Sequence, residues 1–195
     1  MKEPTAAFNE QKDGYTPTSP GVYQGHIVGL RSREIDDRIV FNFQIRIAEE
    51  AGALDVPKLV KNGTDDPEIE YDDAGKAVMM KAEYMVGRTF ESRGIWFTPT
   101  PPSSERWRNR DYKEFCENVG IQFSRDSETN NVSLGEIEES DVLGLPLLAK
   151  VGPLEYTNKK TKKTVKKTAV LNAFNWDNGK RLEPAKLDEL QDAPF

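Results

Sequence analysis

The chain has 195 residues, 36% of them hydrophobic, enough for one decorated domain with its own core. Its 27 Lys and Arg are outnumbered by 33 Asp and Glu, giving a net charge of -6, so the bulk charge argues for solubility and gives no hint of nucleic acid. Cys116 is the only cysteine and His26 the only histidine, which excludes an internal disulfide, the usual His/Cys zinc sites within one chain, and any His-based triad not built on His26.

Residues 1–20 carry Pro4, Pro17 and Pro20 among polar neighbours and read as an irregular arm. They lack the apolar stretch of a signal peptide, and no later segment approaches bilayer length, so a reducing cytoplasm is the expected setting. From Gly21, "GVYQGHIVGLRSR" reads as a long strand bent or bulged at Gly25 and Gly29. "RIVFNFQIRI" then alternates, with Ile39, Phe41, Phe43, Ile45 and Ile47 facing one way. Arg38, Val40, Asn42, Gln44 and Arg46 face the other, as in a half-buried strand with a polar, basic outer face.

Residues 48–75 are rich in Gly, Pro and acid and read as a long surface excursion. "AVMMKAEYMVGRTFESRGIWFTP" predicts two short strands around Gly87, the second stopped by Pro99, Pro101 and Pro102. A helix follows, with Ser103 or Ser104 as cap and Glu105 in its first turn. Tyr112, Phe115, Cys116 and Val119 form its apolar stripe, and Gly120 is placed to end it. "LPLLAKVGPLEYT" and "TVKKTAVLNAFNW" predict two strands joined by a lysine loop, before a turn at "DNGK", Pro184 and an acidic tail. Strands, one helix and a closing hairpin give a mainly β chain with an OB-fold-like five-stranded barrel, although another mixed barrel fits nearly as well. The expected organisation is an arm (1–20), a nucleic-acid-binding domain (21–182) with its long inserted loop, and a flexible acidic C-terminal tail (183–195).

The average charge hides a segregation. Acid collects in "DDPEIEYDD" and in the tail, base in "RWRNR" and "KKTKKTVKK". Single strands are held by cations that track the phosphates and by aromatic faces on which unpaired bases stack, and the chain interleaves both. Arg88 and Arg93 flank Phe90 and precede Trp96, and Arg106, Arg108 and Arg110 surround Trp107. Tyr156 enters a loop carrying Lys159, Lys160, Lys162 and Lys163, which Phe174 and Trp176 leave. With Arg38 and Arg46, these basic residues and Trp96, Trp107 and Tyr156 are the candidate nucleic-acid contacts, open to DNA or RNA. A strand aromatic is more commonly core and a lysine-rich hairpin tip commonly serves solubility, so the weight rests on the clusters rather than on single residues.

Catalytic readings are thinner. The chain shows neither a Walker-type phosphate loop nor a dinucleotide glycine pattern, and Cys116 lies on the helix's apolar stripe as a packing thiol. No cofactor and no catalytic residue is expected. Asp65, Asp66, Asp72 and Asp73 leave a metal-dependent nuclease as an alternative, against the plainer reading of a solvated acidic loop. A protein-interaction module or inhibitor is a third class.

The last four residues, Asp192, Ala193, Pro194 and Phe195, resemble the Asp-Ile-Pro-Phe tip of bacterial single-stranded DNA-binding proteins, differing at one apolar position and preceded only by Asp188 and Glu189 in place of a longer acidic run. Over residues 21–182, "VGRTFESRGIWF", "DYKEFCENVGI", "DVLGLPLLAKVG" and "NAFNWDNGKR" are similar to the single-stranded DNA-binding proteins of tailed bacteriophages. That resemblance implies an OB-fold accessory of phage replication, recombination or repair, acting without enzymatic activity in the host cytoplasm. It also implies an acidic tail that recruits replication proteins and covers the DNA groove when DNA is absent, through Asp188, Glu189, Asp192, Pro194 and Phe195. Oligomeric state stays open, a homo-oligomer included.

Overall fold

A computed structural model describes residues 17–60, 67–125, 127, 132–157, 161–174 and 182–185. The chain is mainly β, with one six-stranded antiparallel sheet, three two-stranded ribbons and one main helix among the described residues. β1 (Gly21–Ile35) and β2 (Arg38–Ile47) form a long hairpin whose register runs from Ile35 opposite Arg38 to Gly25 opposite Ile47. Asp36, at φ 56°, turns the corner in the left-handed region that Asp tolerates better than most residues. The alternation in β2 holds: its five inward residues are all buried. The expected bulge in β1 falls between Ile27 and Gly29. Gly25 is needed for close approach, since a Cβ there would stand 2.5 Å from the Arg46 carbonyl oxygen.

The third strand is broken. β3 (Thr89–Glu91) pairs with the Gln44–Arg46 end of β2 and β4 (Ile95–Phe97) with its Ile39–Phe41 end. Between them Gly94 adopts φ +97°, and the Asn42 amide donates to the Ser92 carbonyl at 3.0 Å. β5 (Pro146–Thr157) pairs with the free side of β1, and β6 (Thr164–Phe174) pairs with β5. Ser92 makes a parallel bridge to Val170, whose carbonyl accepts from the Arg93 N–H at 3.1 Å, so the β3–β4 connection also touches β6.

α1 (Arg110–Val119) lies across the core, its four-residue stripe buried as the spacing predicts. Tyr112 stacks between Phe41 and Phe97, with centroids 5.4 and 4.4 Å away, and Phe115 stacks on Phe43 at 4.8 Å. Burial of each such ring stabilises by roughly 1.5–3 kcal/mol. Gly120 ends the helix at φ 92°, with its N–H turned to the Cys116 and Glu117 carbonyls. The helix start departs from expectation. Ser103–Asn109 form a 3₁₀ turn with no side-chain cap, and Asn109 instead fastens the junction to the sheet. Its buried amide accepts from the Thr98 N–H at 2.7 Å and donates to the Thr98 carbonyl at 2.8 Å.

The segment before Gly87 also differs. Residues 79–81 belong to the excursion and Ala82–Met85 are 3₁₀, because Met79–Lys81 pair with Asp55–Pro57 instead of with β2. The excursion is thus a folded set of short hairpins, with Leu59–Val60 on Glu68–Ile69 and Tyr71 bridged to Ala77. Its base is tied to the start of the domain by Ser19. The Ser19 hydroxyl donates to the Pro57 carbonyl at 2.5 Å and accepts from the Tyr84 hydroxyl at 2.8 Å, while Tyr23 donates to the Ser19 carbonyl at 2.7 Å. At the other end of the chain, Ala185 donates to the Gly144 carbonyl at 2.9 Å, and His26 Nε2 lies 2.9 Å from the Glu183 carbonyl oxygen. Among the described residues, no helix is long and apolar enough to cross a membrane.

Candidate nucleic-acid interface

The outer face of the sheet follows from register, because residues directly opposed in an antiparallel pair share a face. Arg38 opposes Ile35, Val40 opposes both Arg33 and Trp96, and Asn42 opposes Arg31. Inward positions of β2 are sealed by the core and Val40 is itself buried, so Arg31, Arg33, Arg38, Asn42 and Trp96 are what β1, β2 and β4 offer to a ligand. Arg31, Arg33 and Trp96 are exposed, and the Arg38 guanidinium lies 4.5 Å from the centroid of the Trp96 ring. A guanidinium stacked on an indole is held flat without losing its charge, so it presents a plane and a cation together. A base can extend that stack while its phosphate meets a neighbouring arginine.

Beside this face is a cleft of about 520 Å³ between the β3–β4 connection, β6 and the start of α1. Phe43, Phe115 and Val170 contribute apolar lining, and Arg93, Trp96, Arg108 and Arg110 belong to its walls. Trp96 therefore borders both the cleft and the outer face, bringing Arg38, Arg93, Trp96 and Arg108 of the sequence-derived set into one region. Arg108 is ion-paired with Glu105 at 2.7 Å. Trp107, on the 3₁₀ turn, is 70% exposed and is not part of the cleft lining. Arg106 is exposed on the same turn.

The lysine hairpin is a separate feature. β5 pairs with β1 only as far as Val151 opposite Gly21, so the ribbon beyond it takes its strand pairing from β5 and β6 only. Tyr156 is 44% exposed on this ribbon, and Lys162 and Lys163 are exposed at its turn. Lys167 anchors the ribbon to β3 through a 2.9 Å ion pair with Glu91. Lys159 and Lys160 lie outside the described residues, as do Asp188, Glu189, Asp192, Pro194 and Phe195 of the tail.

Two predicted contacts occupy other surroundings. Arg88 lies 5.2 Å from the Tyr84 ring centroid and donates to the Thr18 hydroxyl at 3.2 Å, bracing the strap that leads into β1. Arg46 is half-buried opposite His26 and Thr89, eight residues along β2 from Arg38 and so roughly 26 Å away. The acidic excursion is divided as well. Asp65 and Asp66 lie outside the described residues, while the Asp72 carboxylate accepts from the N–H groups of Ala74 and Lys76 and closes its own turn. Among the described residues no group of three His, Cys, Asp or Glu side chains is arranged to hold a metal.

Sequence reasoning missed Arg31 and Arg33. They were visible in the "RSR" at the end of the first strand, but their face depends on the bulge. Cys116 is fully buried, and burial pushes its thiol up to about 12, which keeps it protonated and packed at neutral pH. No protein-family model matches the chain, no curated protein matches its sequence, and no solved structure matches its fold.

Proposed function

We propose that the chain binds single-stranded DNA without strong sequence preference and without catalysis, coating it during phage replication, recombination or repair. The observation that carries this reading is the Arg38–Trp96 stack on an exposed sheet face shared with Arg31 and Arg33. That face offers a π surface and unburied cations, the two components a single strand requires, and it makes few demands on base identity. The strand order supports an OB-type barrel as its frame. β1 pairs on both sides with β2 and β5, the helix lies between the third strand and β5, and the parallel Ser92–Val170 bridge sits where a five-stranded barrel would close. Lys162 and Lys163 on the ribbon would extend the cationic track. Recruitment of replication or recombination proteins through the acidic tail (183–195), by Asp188, Glu189, Asp192, Pro194 and Phe195, belongs to the same proposal on sequence grounds alone.

The test is a titration of intrinsic tryptophan fluorescence with a thymine-only single strand and with a duplex of equal length, at low and high salt. Quenching by the single strand, weakening as salt rises and absent with the duplex, is the expected result. No response to either nucleic acid at low salt, confirmed by a mobility assay, overturns the reading.

A further inference from the structure

The cleft beside Trp96 has properties that a track for phosphates does not need. Its apolar floor lies between two strand edges: β4 pairs with β2 on its far side and β6 with β5 on its own, leaving a slot where the two diverge past Val170. At about 520 Å³ it falls within the range of pockets that take small ligands, and a single nucleotide is of that class. The charges around it are unequally engaged. Arg108 is paired with Glu105, and Arg110 with Asp111 at 3.6 Å. Arg93, Glu114 and Asn172 also line the cleft, and among the described residues their side chains have no hydrogen-bond or ion-pair partner. Among the described residues, one cation, one carboxylate and one amide are thus left available around an apolar slot whose rim is an indole.

We propose that this cleft receives one base of the bound strand, edge first, and that Glu114 and Asn172 select cytosine or adenine, through the N4 or N6 amino group, over thymine. An ionised carboxylate only accepts hydrogen bonds. Cytosine N4 and adenine N6 donate at the position where thymine presents O4, an acceptor that Glu114 repels. Asn172 carries both a donor and an acceptor and can complete the edge beside the amino group. Arg93, at the other side of the slot, takes the phosphate of the inserted nucleotide. The inference rests on the single-strand reading above and adds a weak base preference to it, confined to one position per bound chain.

The experiment compares competition by cytosine-only and thymine-only oligonucleotides of equal length at mildly alkaline pH, where cytosine N3 is unprotonated. It uses the full chain and its Glu114→Gln and Asn172→Ala variants, each checked for folding by circular dichroism. Glu114 and Asn172 are both exposed, so the fold does not depend on either. The full chain is expected to favour cytosine by about tenfold, the size of one good base-edge contact. Glu114→Gln should cut that to within about twofold by raising thymine affinity, because a neutral amide offers thymine O4 a donor while its oxygen still accepts from cytosine N4. Equal affinity for the two oligonucleotides, or a cytosine preference that survives both substitutions, overturns the inference and leaves single-strand binding intact. Binding to neither removes the function itself, and the two failures are told apart in the same assay.

Discussion

Trp96 is the residue on which the proposed binding face turns, because among the described residues it is an exposed ring with a guanidinium already seated on it. Trp96→Ala is expected to weaken single-strand affinity by about 1–3 kcal/mol with little change in thermal stability. A fluorescence-anisotropy titration showing unchanged affinity in the folded variant would take the ring out of the site. Arg38 and Trp96 could be read from the sequence because one follows from a clean alternation and the other from its basic surroundings. Arg31 and Arg33 could not be read in the same way. Counting by twos from the buried Tyr23 and Ile27 puts both arginines on the inward face, and only the extra residue between Ile27 and Gly29 turns them outward. A glycine announces that a strand can bulge, but the register that results is fixed by long-range pairing.

At the scale of the element, α1 shows what a sequence pattern carries and what it leaves out. The buried stripe and the left-handed glycine stop are local properties and were legible, whereas Asn109 is tied to Thr98, just after β4, by a contact that hydrophobic periodicity does not signal. Asn109→Ala should therefore destabilise the fold by about 1–3 kcal/mol, since it strips both backbone groups of Thr98 of their buried partner. A denaturant midpoint unchanged from that of the parent chain would refute this. The lysine ribbon makes a different kind of contribution. Replacing Lys162 and Lys163 together by Gln should lower the slope of log affinity against log salt by about 0.7 for each charge removed, without altering the cytosine-to-thymine ratio. An unchanged slope would leave those lysines as solubilising groups only. The excursion was legible as an insertion but not as folded hairpins, because its pairings cross a stretch of acid, Gly and Pro that carries little strand signal.

For the whole molecule, three buried acids in the core, Tyr23, Tyr112 and Cys116, all have their ionisation raised chiefly by burial. The folded state holds these protons longer than the unfolded chain does. Stability should be level below the ordinary thiol value of 9.0 and fall as pH rises from there towards about 12, the folded value for Cys116. The slope is up to about 1.4 kcal/mol per pH unit for each group. Urea midpoints that stay constant across that window would show the core is not dry. The order of strands around one helix was legible in the chain; the parallel Ser92–Val170 contact was not, since it joins segments 78 residues apart. Ser19 has a consequence of its own. Its hydroxyl is bound to the excursion and to Tyr84, and its carbonyl to Tyr23. Opening fluctuations in these three places are therefore expected to be coupled, and in native-state hydrogen exchange the amides of Met79–Lys81 and of the first residues of β1 should gain deuterium as one cooperative unit. In Ser19→Ala the excursion should exchange first and alone.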